Sequence, residues 1–355
     1  MYKTEEIFKK LPRGIDCALI TSSKNRRYFT GMKSSAGTVI CFREKAYFIV
    51  DFRYIEKARV TVKSCEVIEQ NSIYNQLKEL IKKHGAKRIA VEADKMAISE
   101  LDSYKKKLSE YEFDTSDSLS KAISGMRVIK DKHEIEKISQ AQGLAEKAFL
   151  HMLNFIQVGR TEREIELELN WNMLKGGAES ISFDSIVLSG KNTSMPHGVP
   201  SEKKVESGDF VLMDFGAVID GYHGDMTRTI CVGKPSAEMV DVYSIVLRAQ
   251  QNALHSARSG IKAKDLDNSA RSIIEDSGYG SAFGHSLGHG VGLDIHEMPS
   301  ASHLSEVLLE KNMLVTIEPG IYLPNKFGVR IEDLVVITDD SCINLNKTSK
   351  KLICI

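Results

Sequence analysis

Two apolar, strand-like segments that carry acidic residues constrain the fold more than any other feature of the sequence. Phe210–Val218 and Tyr222–Val232 predict the two arms of a β-hairpin, because the Asp220-Gly221 pair between them favours a tight two-residue turn. Asp214 and Asp225 lie within these arms. Charge inside a sheet is costly unless it is paired or binds a metal. The hairpin therefore raises the question of what neutralises its two carboxylates.

The register of this hairpin brings the two aspartates together. A two-residue turn places Asp214 opposite Thr227, and Asp225 lies two residues further along the same face. The two carboxylates are then diagonal neighbours, with Cβ atoms roughly 7 Å apart or less. A divalent cation would relieve their repulsion, but one aspartate could instead lie in a turn while the other pairs with Arg228. This hairpin alone leaves both interpretations open.

A second hairpin repeats the arrangement. Met313–Glu318 and Gly328–Ile337 predict its arms, and Glu318 and Glu332 can face each other across them. Between the two hairpins, residues 284–297 contain three histidines and four glycines. Four carboxylates and an imidazole suit two cations such as Mn²⁺, Co²⁺ or Zn²⁺. Such a pair of ions would activate a water molecule at neutral pH.

Two helices are predicted before each hairpin. Lys132–Gln157 has an amphipathic pattern, and a capping box at Thr161 begins a second helix that ends at Gly176-Gly177. The same order follows with Ala237–Arg258 and Leu266–Ser277. The repeated order predicts a duplicated helix–helix–hairpin unit.

The first 120 residues have a different pattern, in which short apolar strands alternate with helices. The predicted strands are Cys17–Ile20, Gly37–Phe42, Ala46–Val50 and Arg88–Glu92, with a helix over Ile73–His84. The polar, Ser-rich stretch 115–127 indicates a domain boundary. We therefore expect an α/β (α+β) protein with a small N-terminal α/β domain at 1–122 and the duplicated domain at 123–355.

Composition excludes several functional classes. Lys plus Arg and Asp plus Glu number 48 each, so the net charge of zero argues against a dedicated nucleic-acid or anionic-membrane binder. No apolar run is long enough to span a bilayer, and the first residues lack a secretory signal pattern. The six cysteines are scattered without a CxxC pair, which favours reduced thiols. A cytoplasmic location is expected.

The acidic and histidine residues taken in order resemble the metal ligands of the pita-bread metallopeptidases, which include methionine aminopeptidase, prolidase and aminopeptidase P. The five matching positions are Asp214, Asp225, His289, Glu318 and Glu332. The resemblance covers essentially the whole chain. The motifs that match its proline-specific branch are Gly288–Gly292 with His296-Glu297, Glu318–Tyr322, and Val329–Asp333. Tyr28–Gly31 and Asp51–Tyr54 look like the N-terminal domain that simple methionine aminopeptidases lack.

The resemblance implies a reaction, a cofactor and a partner. The reaction is hydrolysis of the Xaa-Pro bond, at the N-terminus of peptides or in dipeptides. The cofactor is two divalent ions, Mn²⁺ in the first place, with Co²⁺ or Zn²⁺ as alternatives. Proline-containing peptides are the substrates, and a homodimer is implied.

The resemblance also assigns roles around the metals. Glu318 would act as both ligand and proton shuttle, His197 would lie near the scissile amide, and His296 would stabilise the oxyanion. Three further residues resemble those that line the substrate pocket: His285, Arg330 and Tyr322. For Arg330 an equal alternative is structural support of the second carboxylate pair, Glu318 and Glu332, and Tyr322 could simply pack.

Two other functions are weighed against Xaa-Pro cleavage. A methionine aminopeptidase-like activity is opposed by the additional N-terminal domain. A catalytically inactive scaffold that binds protein partners is opposed by the five filled ligand positions. The sequence leaves open whether dipeptides or longer peptides are preferred, since Arg330 is an ambiguous clamp for a dipeptide carboxylate.

Overall fold

The computed structural model describes residues 3–355 and divides into two compact units, one ending at Arg127 and the other beginning at Val128. The expected boundary after residue 122 falls inside a helix, Ser118–Arg127, which buries Leu119, Ile123 and Met126. These apolar residues recur at helical spacing, while the serines occupy other positions around the helix. The Ser-rich stretch 115–127, where the boundary is expected, is therefore mostly helical.

The first unit is built on one mixed, six-stranded sheet with the order β4-β3-β2-β1-β5-β6. Its elements are α1 (Lys3–Lys10), β1 (Cys17–Ile20), α2 (Ser23–Thr30), β2 (Thr38–Phe42), β3 (Ala46–Val50), α3 (Ile55–Thr61), β4 (Glu66–Glu69), α4 (Ile73–Lys83), β5 (Arg88–Val91), α5 (Ile98–Lys107), β6 (Glu112–Asp114) and α6 (Ser118–Arg127). The predicted strands and the predicted helix are present, with ends shifted by one residue at most. The fully buried strands β1, β2 and β3 form the centre of this sheet's core.

The second unit contains four long helices and several small sheets. Its elements are α7 (Lys132–Phe155), α8 (Glu162–Lys175), β7 (Ser180–Ile181), β8 (Ile186–Ser189), β9 (Phe210–Phe215), β10 (Ala217–Ile219), β11 (Tyr222–His223), β12 (Met226–Cys231), α9 (Ala237–Ser256), α10 (Ala263–Asp276), β13 (Gly288–Gly290), β14 (Glu297–Ala301), β15 (Leu314–Ile317), β16 (Gly320–Leu323), β17 (Phe327–Arg330), β18 (Asp333–Ile337) and β19 (Cys342–Asn344). Short 3₁₀ turns occupy Gly190–Ser194 and Gly280–Ala282.

The expected duplication is confirmed in the order of elements. Helices α7 and α8 precede the β9–β12 pair, and α9 and α10 precede the β15–β18 pair. The predicted register is also present, with Thr227 opposite Asp214. The turn between these arms has positive φ at Asp220 (49°) and Gly221 (81°), as a type I′ hairpin requires.

Each hairpin differs from the expectation in being interrupted halfway. The first is split between β9–β12 and β10–β11 at Gly216 and Gly224, whose backbones approach so closely that any side chain at Gly216 would clash with the Gly224 carbonyl oxygen. The second is split after β15, where Glu318 is followed by Pro319, which has no N–H to donate to a ladder. The acidic residues stand at or beside these interruptions.

Burial in the hairpins explains which face the acidic residues occupy. Val211, Met213 and Phe215 pack in the core formed with α7 and α8, so Asp214 between them faces the other side. Val315 and Ile317 pack likewise in the core formed with α9 and α10. The carboxylates therefore lie on the faces turned away from the helices. Within residues 3–355, no helix combines the length and apolar character needed to cross a membrane.

Candidate active site

A cavity of about 560 Å³ lies on this face of the second unit. Nine of the ten predicted site residues line it: His197, Asp214, Asp225, His285, His289, His296, Glu318, Arg330 and Glu332. Further lining residues include the apolar side chains of Phe183, Ile186 and Ile295. The tenth predicted residue, Tyr322, is buried behind the lining. The cavity thus combines carboxylates and imidazoles with an apolar wall.

Three predicted metal ligands converge most closely. One ligand atom each from Asp225, His289 and Glu332 lies within 4.8 Å of the others. Asp225 is held by Gln142 of α7, whose side-chain amide bonds both the backbone N–H and the carbonyl of Asp225 at 2.9 Å. The Thr227 hydroxyl donates to Glu332 Oε2 at 2.7 Å. These contacts fix two carboxylates from different hairpins at one place.

The histidine of this group turns its unprotonated nitrogen toward the carboxylates. His289 Nδ1 lies 3.1 Å from the Gly290 carbonyl oxygen, which can only accept, so Nδ1 carries the proton in the neutral ring. Burial, together with the nearby His296, lowers the pKa of His289 to about 4. Its Nε2 is 3.4 Å from Glu318 Oε1 and 3.6 Å from Asp225 Oδ2. Lone pairs that face one another in this way call for a cation between them.

The carboxylates are too crowded to be charged together without such a cation. Burial, with the charge of Asp214 adding to it, raises the pKa of Glu318 to about 8. Burial and neighbouring carboxylates also raise the pKa of Asp225 and of Glu332 well above their ordinary values. A bound cation would favour the charged forms and displace these protons.

The fifth predicted ligand, Asp214, has one oxygen satisfied and one free. Its Oδ2 accepts a hydrogen bond from Arg330 Nη2 at 2.7 Å. Its Oδ1 is buried and has no hydrogen-bond partner among residues 3–355. A buried acceptor without a donor is costly. The free acceptor, the lone pair of His289 and the raised carboxyl pKa values together fit metal binding by this set of residues.

Arg330 uses four of its five N–H groups in hydrogen bonds around Asp214. Besides Asp214, its guanidinium donates to the Tyr322 hydroxyl at 2.7 Å, the Thr227 hydroxyl at 3.1 Å and the Pro196 carbonyl at 3.4 Å. The side chain of Arg330 is only 2% exposed. Arg330 thus supports a carboxylate, but it is Asp214 of the first hairpin rather than the second pair, Glu318 and Glu332, that the sequence suggested.

Tyr322 connects Arg330 to His285. His285 Nδ1 lies 2.8 Å from the Ser286 carbonyl oxygen, so its Nε2 accepts from the Tyr322 hydroxyl at 2.9 Å. Burial, with Arg330 contributing, lowers the pKa of His285 to about 4. His285 therefore presents a neutral ring to the cavity. Tyr322, which is buried and does not line the cavity, hydrogen-bonds to both Arg330 and His285.

The remaining two histidines are exposed at the cavity. The His296 ring stands edge-on to His289, with centroids 4.3 Å apart. The next residue, Glu297, forms a buried ion pair with Lys130 at 2.7 Å. His197 follows Pro196, whose carbonyl contacts Arg330. Both exposed imidazoles are free to meet a substrate.

The residues that hold these side chains in place were not predicted as part of the site. Thr227 was placed opposite Asp214, but its hydrogen bond to Glu332 was not predicted. Gln142 gave a weaker signal, as a polar residue on the apolar face of α7. Lys130 gave none, because its partner Glu297 is 167 residues away.

Comparison with known proteins identifies the family. Residues 136–339, more than half of the chain, match the model of metallopeptidase family M24. Residues 11–129 match the Creatinase/Prolidase N-terminal domain. The chain belongs to metallopeptidase family M24. The expected membership of the pita-bread metallopeptidases is thereby confirmed, and the M24 chain is a metallopeptidase.

Relatives of this M24 metallopeptidase carry proline-specific names. A Xaa-Pro dipeptidase of Pyrococcus horikoshii is 38% identical over 344 residues, 96% of this chain and 95% of the relative. The solved structure of a Xaa-Pro dipeptidase from Bacillus anthracis has 39% identity, 99% coverage of both chains and a TM-score of 0.95. That of an X-Pro aminopeptidase from Thermotoga maritima has 38% identity, a TM-score of 0.92 and coverage of 96% of this chain and 98% of that one. The fold of the M24 chain is therefore that of proline-specific peptidases.

Proposed function

We propose that this metallopeptidase hydrolyses the peptide bond before proline, using two divalent ions held by five side chains. The proposed ligands are Asp214, Asp225, His289, Glu318 and Glu332. The observation that carries the proposal is the close approach of the Asp225, His289 and Glu332 ligand atoms, all within 4.8 Å of one another. The names of the relatives support the choice of substrate.

Each side chain at the cavity has a task in this proposal. Two bound cations would polarise the scissile carbonyl and make water nucleophilic at neutral pH. Glu318, which lines the cavity beside His289, would accept a proton from the attacking water and pass it to the leaving nitrogen. The exposed His296 can donate to the oxygen on which negative charge develops, and His197 can bond to the amide that is cleaved. Arg330 holds Asp214 in place through its 2.7 Å contact.

The hydrogen bonds that Arg330 already makes within the protein favour substrates that continue beyond the proline. A Xaa-Pro dipeptide carries a free carboxylate, which a site normally binds with an available cationic side chain. Among residues 3–355, Arg330 is the one lysine or arginine that lines the cavity, and its guanidinium already bonds four acceptors. We therefore favour Xaa-Pro-Yaa substrates. Dipeptides are the second candidate, favoured by the names of the Pyrococcus and Bacillus relatives.

Three further features belong to the proposal. Mn²⁺ is the proposed metal, since four carboxylates and one imidazole suit a cation of borderline hardness. A homodimer and a cytoplasmic location follow from the resemblance and from the scattered cysteines, all six of which are free. Analytical ultracentrifugation and cell fractionation would test these two.

A peptide panel tests the function directly. Chelated enzyme should be inactive, and Mn²⁺ should restore cleavage of Xaa-Pro-Yaa. Matching Xaa-Ala-Yaa peptides should have kcat/KM values roughly 10-fold lower or more, a gap of about 1.4 kcal/mol. Cleavage of Xaa-Pro dipeptides alone would make the enzyme a dipeptidase. Equal rates on Met-Ala and Met-Pro would defeat proline specificity, and no cleavage of any peptide would favour an inactive scaffold.

A further inference from the structure

A buried carboxylate outside the cavity holds both ends of the loop that carries His197. Glu162 is the first residue of α8 and is 0% exposed. We call residues 190–200 the His197 loop. The strand before this loop ends at Ser189, and the chain after it continues through Ser201. Glu162 bonds the residues on both sides.

The two oxygens of Glu162 divide these contacts between them. Oε1 accepts from the Ser189 N–H at 2.6 Å, the Ser189 hydroxyl at 3.1 Å and the Asn192 amide at 3.0 Å. Oε2 accepts from the Ser201 N–H at 3.0 Å and the Ser201 hydroxyl at 2.7 Å. Five donors thus satisfy one buried carboxylate. The backbone N–H of Glu162 bonds the Lys203 carbonyl as well, at 3.0 Å.

Within the loop, contacts run on to the cavity. The Thr193 hydroxyl accepts from the Gly328 N–H at 2.7 Å, and the Pro196 carbonyl accepts from Arg330 at 3.4 Å. Gly198 packs so closely on Leu188 that a side chain there would crowd it. His197 itself is exposed, so its position depends on the backbone of the loop and on what holds the ends of the loop.

We infer that Glu162 is the positioning residue for His197: by accepting hydrogen bonds from both ends of the His197 loop, it sets where the imidazole stands over the cavity. The inference rests on the proposed role of His197 in peptide cleavage. Glu162 does not line the cavity and acts through the loop. The negative charge suits its place, because the N-terminus of a helix favours an anion.

Glu162→Gln is the decisive variant. Oε1 of Glu162 accepts the backbone N–H of Ser189, and Oε2 accepts that of Ser201. The side-chain amide of glutamine has only one oxygen that can accept. Whichever way the amide is turned, its NH₂ faces an N–H, so one end of the loop is released. A misplacement of about 1 Å in a positioned group costs about 10²-fold in rate. We expect kcat to fall by about that factor, with metal content unchanged and KM changed much less.

A double-mutant cycle separates positioning from general damage. If Glu162 acts through His197, Glu162→Gln should add little to the rate loss of His197→Ala. Glu164→Gln is the matched control, since Glu164 is on the same helix and a glutamine preserves its capping bond to Thr161. That control should keep wild-type kcat. Losses from Glu162→Gln and His197→Ala that multiply would overturn the inference.

Hydrogen exchange of the loop gives a readout that does not depend on which peptide is cleaved. Glu162→Gln should raise hydrogen exchange in fragments of the protein that cover 189–201 and leave exchange in α9 and α10 unchanged. The double-mutant rate cycle is run with whichever substrate peptide the wild type cleaves. If wild type cleaves no proline peptide, the proposed function fails while the loop measurement still decides the role of Glu162. If Glu162→Gln does not fold, Ser201→Ala replaces it, because it removes one donor to Glu162. Ser201→Ala should lower kcat by less than about 10²-fold, and it should not lower kcat further in the His197→Ala background. Unchanged exchange in the loop would overturn the inference.

Discussion

The buried ion pair between Lys130 and Glu297 offers a quantitative test of how the His296 segment is held. The two charged groups are 2.7 Å apart, and their side chains are 1% and 11% exposed, so solvent screens them little. Lys130→Met keeps an unbranched side chain that is one atom shorter, but leaves the Glu297 carboxylate without this charge. Removing one partner of a buried pair typically costs about 3–5 kcal/mol. We expect a loss of that size in the free energy of unfolding.

Urea unfolding of chelated protein, followed by circular dichroism, measures this loss. The double variant Lys130→Met/Glu297→Gln should regain most of it, because it removes both charges. The exposed pair Lys311–Asp339 is the matched control, with side chains 57% and 67% exposed. Lys311→Met should cost less than about 1 kcal/mol. A loss for Lys130→Met no larger than for this control would refute the reasoning.

Three further predictions concern the metal site and its histidines. Asp225→Asn should keep the fold but lower activity and metal content by at least about 10-fold, since even residues that support ligands cost that much when changed; unchanged turnover and metal content would show the assignment to be wrong. His197→Ala and His296→Ala should each lower kcat by about 10²–10³-fold without loss of metal; stoichiometric metal loss in either would place that histidine among the ligands. Mn²⁺ affinity should fall as the pH falls below 8, because Glu318, with its pKa raised to about 8, then holds a proton that the ion must displace. Calorimetry at pH 7 in buffers of different ionisation enthalpy should detect the released protons, and binding without proton release would contradict this.

Much of the site was predictable because its geometry follows from local rules. The Asp220-Gly221 turn fixes the register of the first hairpin, and the register decides that Thr227 stands opposite Asp214. The alternation of a strand then places apolar residues on the helices and acidic residues on the other face. Neither step needs knowledge of distant contacts.

What could not be predicted depends on residues far apart in the chain. The interruption at Gly216 coincides with a close backbone approach to Gly224, which no local pattern reveals. The contact between Arg330 and Asp214 joins residues 116 positions apart, so the sequence could not show which carboxylate the guanidinium meets. The five hydrogen bonds to Glu162 likewise join a helix to a loop that carries no recognisable signal for them.

Anomalous diffraction from crystals grown with Mn²⁺ tests the central claim most directly, that five side chains of this chain form a two-metal site. We predict two anomalous peaks roughly 3.5–4 Å apart, surrounded by Asp214, Asp225, His289, Glu318 and Glu332. Oδ1 of Asp214, which has no hydrogen-bond partner among residues 3–355, should contact one of them. A single peak, or peaks elsewhere on the chain while these carboxylates bind none, would contradict the account.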